Sequence, residues 1–308
     1  MHIVNQEVND RFAWYNADCC EAMLSIPDKS IGLSVFSPPF AELYSYSNSE
    51  RDMGNSANYD EFFDHFSFLI SQLSRVTMPG RIVAVHCIDI PAMKERDGYI
   101  GLKDFPGDII RAFQKAGMIY HSRHVIWKDP LIEATRTKAL GLMHKQLCKD
   151  STKCRSGLPD YLLAFRAIGE NSSPVGHESG LTHYAGSSVI GGDGVKRSHN
   201  IWRAYASPVW MDIRQTNTLN RTEARDADDE KHICPLQLDV IDRCLSLWSA
   251  PGDVVLSPFG GIASEGYCAV LAGRKFIGIE LKESYWRVGL KNLMSAVSES
   301  GASQQSLF

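Results

Sequence analysis

The chain has 308 residues, 44% of them hydrophobic and 22% charged, a balance that supplies a packed core and excludes wholesale disorder. No apolar run approaches the length of a membrane span, and Met1-His2-Ile3-Val4-Asn5-Gln6 has neither a basic region nor an apolar signal core, so a soluble, cytoplasmic protein is expected. The net charge of −4 hides an asymmetry: Lys and Arg outnumber Asp and Glu between His121 and Arg225, while the remainder is acidic, so the middle is either a phosphate-contacting surface or a solvated face of mixed charge.

Residues 12–16 read as a short strand closing on Ala17-Asp18-Cys19-Cys20, and a brief helix through Met23 and Leu24 stops at Pro27-Asp28. Residues 31–36 form an apolar run of strand length, read as a buried strand. It ends at Ser37-Pro38-Pro39-Phe40, where two residues without an N–H cannot extend a sheet ladder. Such a corner at the carboxyl end of a strand is where an open α/β sheet places ligands. It offers a hydroxyl, carbonyls pinned by fixed φ angles and an aromatic face, a set suited to a flat ring whose amino group must be gripped; the plainer reading is a simple turn. Residues 41–58, rich in Ser, Asn and Tyr, form a loop above it.

From Tyr59 to Thr77 the spacing of Phe62, Phe63, Phe66, Leu69, Ile70, Leu73 and Val76 predicts an amphipathic helix ended by Pro79-Gly80. A buried strand over 81–87, a helix over 108–116 stopped by Gly117, and a strand over 119–127 follow. Residues 169–200 show little periodicity and read as a long irregular excursion. Periodicity resumes with a helix through Leu236, Val240, Ile241, Cys244, Leu245 and Trp248, then a turn at Pro251-Gly252-Asp253 and a strand over 254–256. A helix through Tyr267, Val270 and Leu271, a strand over 275–281 and a helix over 285–293 complete the chain, with no internal repeat. The eight cysteines include no Cys-x-x-Cys pair, so reduced thiols are expected and a metal site is not.

Residues 254–280 make a β-α-β crossover. Its turn, Phe259-Gly260-Gly261-Ile262-Ala263-Ser264-Glu265-Gly266, lets a ligand approach the backbone, and Glu280 at the second strand tip suits the hydroxyls of a ribose. The turn lacks the Gly-x-Gly-x-x-Gly of nicotinamide dinucleotide sites. A ligand-free glycine turn is the alternative.

The early strand-Ser-Pro-Pro-Phe and the late strand-Pro-Phe-x-Gly turn, followed by Ile277-Gly278-Ile279-Glu280, resemble the amino-group DNA methyltransferases that use S-adenosylmethionine. The catalytic tetrapeptide precedes the basic middle and the cofactor turn follows it, which resembles the permuted β arrangement of that family. The likeness covers about 10–130 and 225–295. It implies an α/β, Rossmann-like methyltransferase fold with a mostly parallel, circularly permuted sheet and an irregular target-recognition insertion. The expected division is a catalytic half over 1–128, a recognition region over 129–225 and a cofactor half over 226–308.

Position by position, the resemblance makes Ser37, Pro38, Pro39 and Phe40 the catalytic motif, and Asp18 the acid near the adenine of the cofactor. His232, Cys234 and Pro235 fall in the lead-in beside its methionine end. Ser257, Phe259, Gly260, Gly261 and Ala263 fall in the cofactor turn, and Glu280 matches the ribose-binding acid. The family usually has Asp at Ser257 and a second glycine at Ala263, and its lead-in more often reads His-Pro-Thr-Gln-Lys-Pro; Glu265 is a candidate to compensate for the missing carboxylate. Residues 125–128 fall near a strand edge bordering the target base.

The implied activity is methyl transfer to the exocyclic amine of a base flipped out of double-stranded DNA, with Phe40 stacking on the base. Ser at the first motif position is associated with N4 of cytosine; N6 of adenine is the alternative. A cofactor-binding module without catalysis and methylation of an RNA or protein amide are the rivals from other classes. Lys128, Arg136, Lys138, Lys145, Lys196, Arg197 and Arg203 are candidate DNA contacts. A homodimer and a cognate restriction nuclease, as in restriction-modification, are candidate partners.

Overall fold

Strands that are buried on both faces build the centre of the sheet. In the computed structural model, residues 3–40, 59–92, 94–137, 142–177, 181, 192–219 and 235–305 are described. An antiparallel hairpin, β1 (Ile3–Val8) and β2 (Phe12–Ala17), is followed by α1 (Cys19–Met23) and β3 (Ile31–Phe36). Next come α2 (Tyr59–Val76), β4 (Thr77–Cys87), β5 (Ile90–Ala92), α3 (Lys94–Asp97), β6 (Gly101–Lys103), α4 (Phe105–Lys115) and β7 (Ile119–Ile126). The middle holds α5 (Pro130–Thr137), α6 (His144–Leu147), β8 (Asp160–Arg166), α7 (Gly192–Ala206) and β9 (Val209–Trp210). The chain closes with α8 (Leu238–Trp248), β10 (Val254–Ser257), α9 (Ser264–Leu271), β11 (Lys275–Glu280) and α10 (Glu283–Gln305).

Among the described residues the main sheet has the order β1-β2-β11-β10-β3-β4-β8-β7-β9, and β5 pairs only with β6. The run β2-β11-β10-β3-β4 is parallel throughout, and β8 lies antiparallel between β4 and β7. Strands β3 and β10 are neighbours, with Leu33 opposite Val255 and Ser34 opposite Leu256, although over 200 positions separate them. The chain therefore forms a mostly parallel α/β sheet in which the first and last thirds of the sequence meet side by side, the permuted order expected from the motifs.

Alternation along the strands sorts side chains into two cores. Val83 and Val85 face one layer, with α1, α2 and α4 supplying Met23, Phe66 and Ile109. Ile82 and Ala84 face the other, with α8, α9 and α10 supplying Ile241, Val270 and Leu293. Each of the larger of these side chains contributes about 2 kcal/mol by leaving water. At the far edge, buried Arg81 ties strands together: its guanidinium donates to the carbonyls of Gly32 and Ser173, each at 2.9 Å, and pairs with Asp253.

One expectation needs correction. The excursion over 169–200 gives way to α7 from Gly192, whose later part carries a helical spacing at Ile201, Ala204 and Tyr205. The stretch 129–225 contributes two strands to the sheet: β8 lies between β4 and β7, and β9 pairs with β7. The continuous run Leu162-Leu163-Ala164-Phe165 is buried between two strands and two helix layers, which is why it lacks a period of its own.

Candidate active site

Four parallel strands bring their carboxyl ends to one edge: β2 before Asp18, β11 at Glu280, β10 at Ser257 and β3 before Ser37. The edge holds both halves of the expected site, which lie far apart in sequence.

The Ser-Pro-Pro-Phe corner follows β3, with Pro38 buried and Ser37, Pro39 and Phe40 half-buried. Phe40 packs edge-on against Phe105, centroids 6.4 Å apart, and tilts over His86 at 6.5 Å. One face of its ring is thus supported by aromatic neighbours. Ser37 Oγ lies 2.8 Å from Nδ1 of His86, next to the end of β4. On the far side of the imidazole, Nε2 is 3.1 Å from Oδ2 of Asp160, the first residue of β8. The other carboxylate oxygen is 2.5 Å from Lys128 Nζ, and Lys128 also lies 3.9 Å from Glu133 of α5. His86 is 8% exposed and Asp160 1%. Nε2 of His86 and Oδ1 of Asp160 meet their partners at ion-pair distance without well-aligned hydrogen bonds. Burial pushes the Asp160 carboxyl up, but His86 and Lys128 outweigh it and hold the group below the usual carboxylate range.

This chain of contacts relocates Lys128. Its side chain is 11% exposed and paired with Asp160, so the cation expected on an open surface sits instead in a largely buried ion pair behind the Ser37–His86 contact. His86 and Asp160 were not among the sequence-derived site residues. Their signal was present but weak: each is a lone polar residue at the end of an apolar strand, which by itself suggests only a strand boundary.

The cofactor side is built around Glu280. Its carboxylate accepts from the N–H groups of Gly261 and Lys282, each at 2.7 Å, which curls the turn after β10 onto the tip of β11. Gly261 has φ +52°, a left-handed value suited to glycine. Gly260 meets a different need: a Cβ there would sit 2.4 Å from the buried ring of Trp14. Ala263, where the family has glycine, adopts φ +63° and starts α9. Phe259 packs against Phe36 at 5.8 Å and Phe66 at 6.5 Å, joining the glycine turn to β3 through the core. Ser257 is fully buried, and its Oγ has no partner among the described residues. Glu265 is also buried; desolvation first, then the charge of Glu280, push its carboxyl up to about 8 despite its own backbone N–H. A carboxyl held neutral this way does not supply the negative charge of the family's Asp.

Asp18 caps α1, its Oδ1 accepting from the N–H of Glu21 at 3.0 Å. Pro235 is half-buried ahead of α8, while His232, Cys234 and Lys138 lie outside the described residues, as does the loop over 41–58. Arg136 belongs to α5, but its side chain is outside the description. Lys145 is exposed on α6, and Lys196, Arg197 and Arg203 are exposed on α7. The end of that segment is pinned to the core by Arg243 of α8. This guanidinium bonds both Asp212 oxygens at 3.0 and 2.6 Å and lies over the rings of Tyr205 and Trp210. Among the described residues no group of three or more His, Cys, Asp or Glu is arranged to hold a metal ion, and no helix is long and apolar enough to cross a membrane.

A family description of DNA methylases, the N6/N4 methyltransferase group, matches residues 31–291, and the chain belongs to that family. Type II methyltransferase M.BamHI of Bacillus amyloliquefaciens is 23% identical over 274 residues, 87% of this chain and 54% of that protein. DNA adenine methyltransferase YhdJ of Escherichia coli K12 is 44% identical over 54 residues, 18% of each chain. The chain thus spans about half or less of the length of these two relatives. Among solved structures, TTHA0409 of Thermus thermophilus complexed with S-adenosyl-L-methionine aligns over 91% of this chain and 92% of its own, at 20% identity and TM-score 0.62. The cytosine-N4-specific PvuII DNA methyltransferase aligns over 97% of this chain and 95% of its own, at 15% identity and TM-score 0.61. These likenesses establish the fold.

Proposed function

We propose that this chain is an S-adenosylmethionine-dependent DNA methyltransferase acting on the exocyclic amine of a flipped-out base, and that the amine is N4 of cytosine. The observation that carries the reading is the Ser37 corner, half-exposed at the strand edge shared with the glycine turn and tethered to a buried imidazole. Membership of the N6/N4 family supports amine chemistry, and the neutral Ser37 together with the PvuII likeness favours cytosine.

The residues fit the cofactor. The turn at Gly261 leaves its backbone open to close approach, Glu280 is fixed at the strand tip, and the buried Ser257 hydroxyl still has an unused bonding capacity. When bound, S-adenosylmethionine supplies an electrophilic methyl group. The protein must make the amine a nucleophile, because its lone pair is delocalised into the ring. Hydrogen bonds accepted by Ser37 Oγ and the Pro38 carbonyl draw the amine toward a pyramidal geometry, and Phe40 holds the base plane. Fixing the amine in line with the methyl group supplies most of the acceleration. Duplex DNA is the proposed substrate, with 129–225 as the recognition region apart from the sheet strands β8 and β9; Lys145, Lys196, Arg197 and Arg203 are the proposed phosphate contacts. Homodimerisation and pairing with a restriction nuclease are proposed on the likeness to type II enzymes alone.

The test is to incubate duplex DNA with the protein and labelled cofactor, digest it and separate the nucleosides. Label in N4-methylcytosine supports the reading. Label in N6-methyladenine, which the local YhdJ likeness favours, transfers the mechanism to adenine. Cofactor binding without transfer supports an inert module.

A further inference from the structure

Ser37 can serve an incoming amine only if its oxygen, not its proton, faces the base. The structure shows what sets that polarity. Its hydroxyl is 2.8 Å from Nδ1 of His86, and Nε2 of the same ring is 3.1 Å from Asp160. The group nearest Nε2 is a carboxylate, which cannot donate and whose negative charge favours a proton on the nitrogen facing it, so the tautomer with the proton on Nε2 and a lone pair on Nδ1 is the favoured one even at ion-pair geometry. The Ser37 O–H then points at His86, and both oxygen lone pairs remain for the substrate side.

We propose that His86, oriented by Asp160, is a positioning residue that aims the Ser37 hydroxyl and takes its proton as the methyl group is transferred. The inference rests on the amine-methylation reading and is indifferent to whether the base is cytosine or adenine. The step balances. The amine lone pair forms the new N–C bond, and the sulfonium S–C pair stays on sulfur, giving a neutral thioether. The nitrogen carries the positive charge and an extra proton. That proton passes to Ser37 Oγ while the Ser37 proton passes to Nδ1, so the products are the neutral methylamine, Ser37 unchanged and a His86 imidazolium facing Asp160. The proton is later lost to solvent.

The surroundings suit this role. Asp160 stays ionised because Lys128 holds its other oxygen at 2.5 Å, and Glu133 stands behind Lys128 at 3.9 Å. Phe40 covers one side of the imidazole. The other titratable groups on the same strand end are Cys87, whose buried thiol belongs to the opposite core layer, and Asp89, which accepts a hydrogen bond from Tyr161 at 3.2 Å. The polar and aromatic partners of the ring are instead Ser37, Phe40 and Asp160.

Two measurements test the proposal. The first is single-turnover methyl transfer at saturating DNA and cofactor between about pH 5.5 and 9, for the wild type, His86→Gln and Asp160→Asn. The wild-type rate should fall on the acid side, because the relay needs a bare Nδ1 to receive the Ser37 proton. His86→Gln, whose amide oxygen can still accept from Ser37, should lose about 100-fold in rate and lose the acid limb, a magnitude typical of general acid–base groups. Asp160→Asn should lose at least as much, because its amide can donate to Nε2 and reverse the tautomer. Cofactor affinity by calorimetry should change less than twofold in both. A wild type with no acid limb, or a glutamine variant that keeps the limb, overturns the proposal. The second is nitrogen-15 NMR of labelled histidine in the wild type, with the His86 resonances identified by their loss in His86→Gln or His86→Asn. Protonated Nε2 and bare Nδ1 near pH 8 support the inference; protonated Nδ1 overturns it. This readout needs no turnover, so a protein that fails to methylate DNA overturns the amine-transfer reading and leaves the tautomer result to judge His86 separately.

Discussion

Glu265 should make the stability of the ligand-free protein fall as pH rises through neutrality. It lies in the first turn of α9, 5% exposed, and burial with the nearby charge of Glu280 raises its carboxyl from an ordinary 4.5 to about 8. The folded state therefore holds a proton that the unfolded chain releases near pH 4.5. Stability from this group is fully present below that value and is lost progressively until the pH passes about 8. At about 1.4 kcal/mol per pH unit, the full span is on the order of 5 kcal/mol, of which roughly 3 falls between about pH 5.5 and 8. Urea unfolding of the wild type and Glu265→Gln across that range, at constant ionic strength, isolates the contribution. The glutamine variant keeps a neutral amide of similar size, so its stability should decline less by roughly 3 kcal/mol. Parallel curves for the two proteins would refute the reasoning.

Ser37→Ala should lower single-turnover methyl transfer by about 100-fold, with cofactor affinity by calorimetry unchanged, because it removes the acceptor and leaves the glycine turn intact. Gly260→Ala forces a methyl group into the Trp14 ring and should destabilise by about 1–3 kcal/mol, read as a lower Tm and altered tryptophan fluorescence. Arg243→Ala removes the clamp on Asp212, Tyr205 and Trp210; limited proteolysis should then cut faster within 192–219 while cofactor binding is retained. DNA affinity should fall steeply between about 50 and about 200 mM salt if exposed cations such as Lys196 and Arg203 meet phosphates, and a flat response would contradict that surface.

The corner after β3 was legible because proline carries its own structural rule: a residue without an N–H must end a ladder. The β10–α9–β11 crossover was legible for a similar reason, since its glycines and the acid at its strand tip act within a short stretch of chain. The permutation followed from motif order, and the β3–β10 pairing realises it. What escaped was long-range. Nothing adjacent to His86 in sequence points to Asp160, and only the antiparallel placement of β8 beside β4 brings them together. Lys128 was read by its charge as a phosphate contact because a buried cation and an exposed one look alike until the carboxylate beside it is known. The glycine turn also has a packing role that its sequence does not reveal: a Cβ at Gly260 would meet the ring of Trp14, a residue from the other end of the chain. Strand β1 escaped because its exposed, half-polar edge lacks an apolar run.

The central claim is methyl transfer to an exocyclic amine held by Ser37. It is tested most directly by base-modification sequencing of DNA from cells expressing the wild-type chain and its Ser37→Ala variant. The account predicts N4-methylcytosine within one short sequence context in the wild type and its loss in the variant. Methylation at a ring carbon, or the same modification undiminished without the Ser37 hydroxyl, would contradict it.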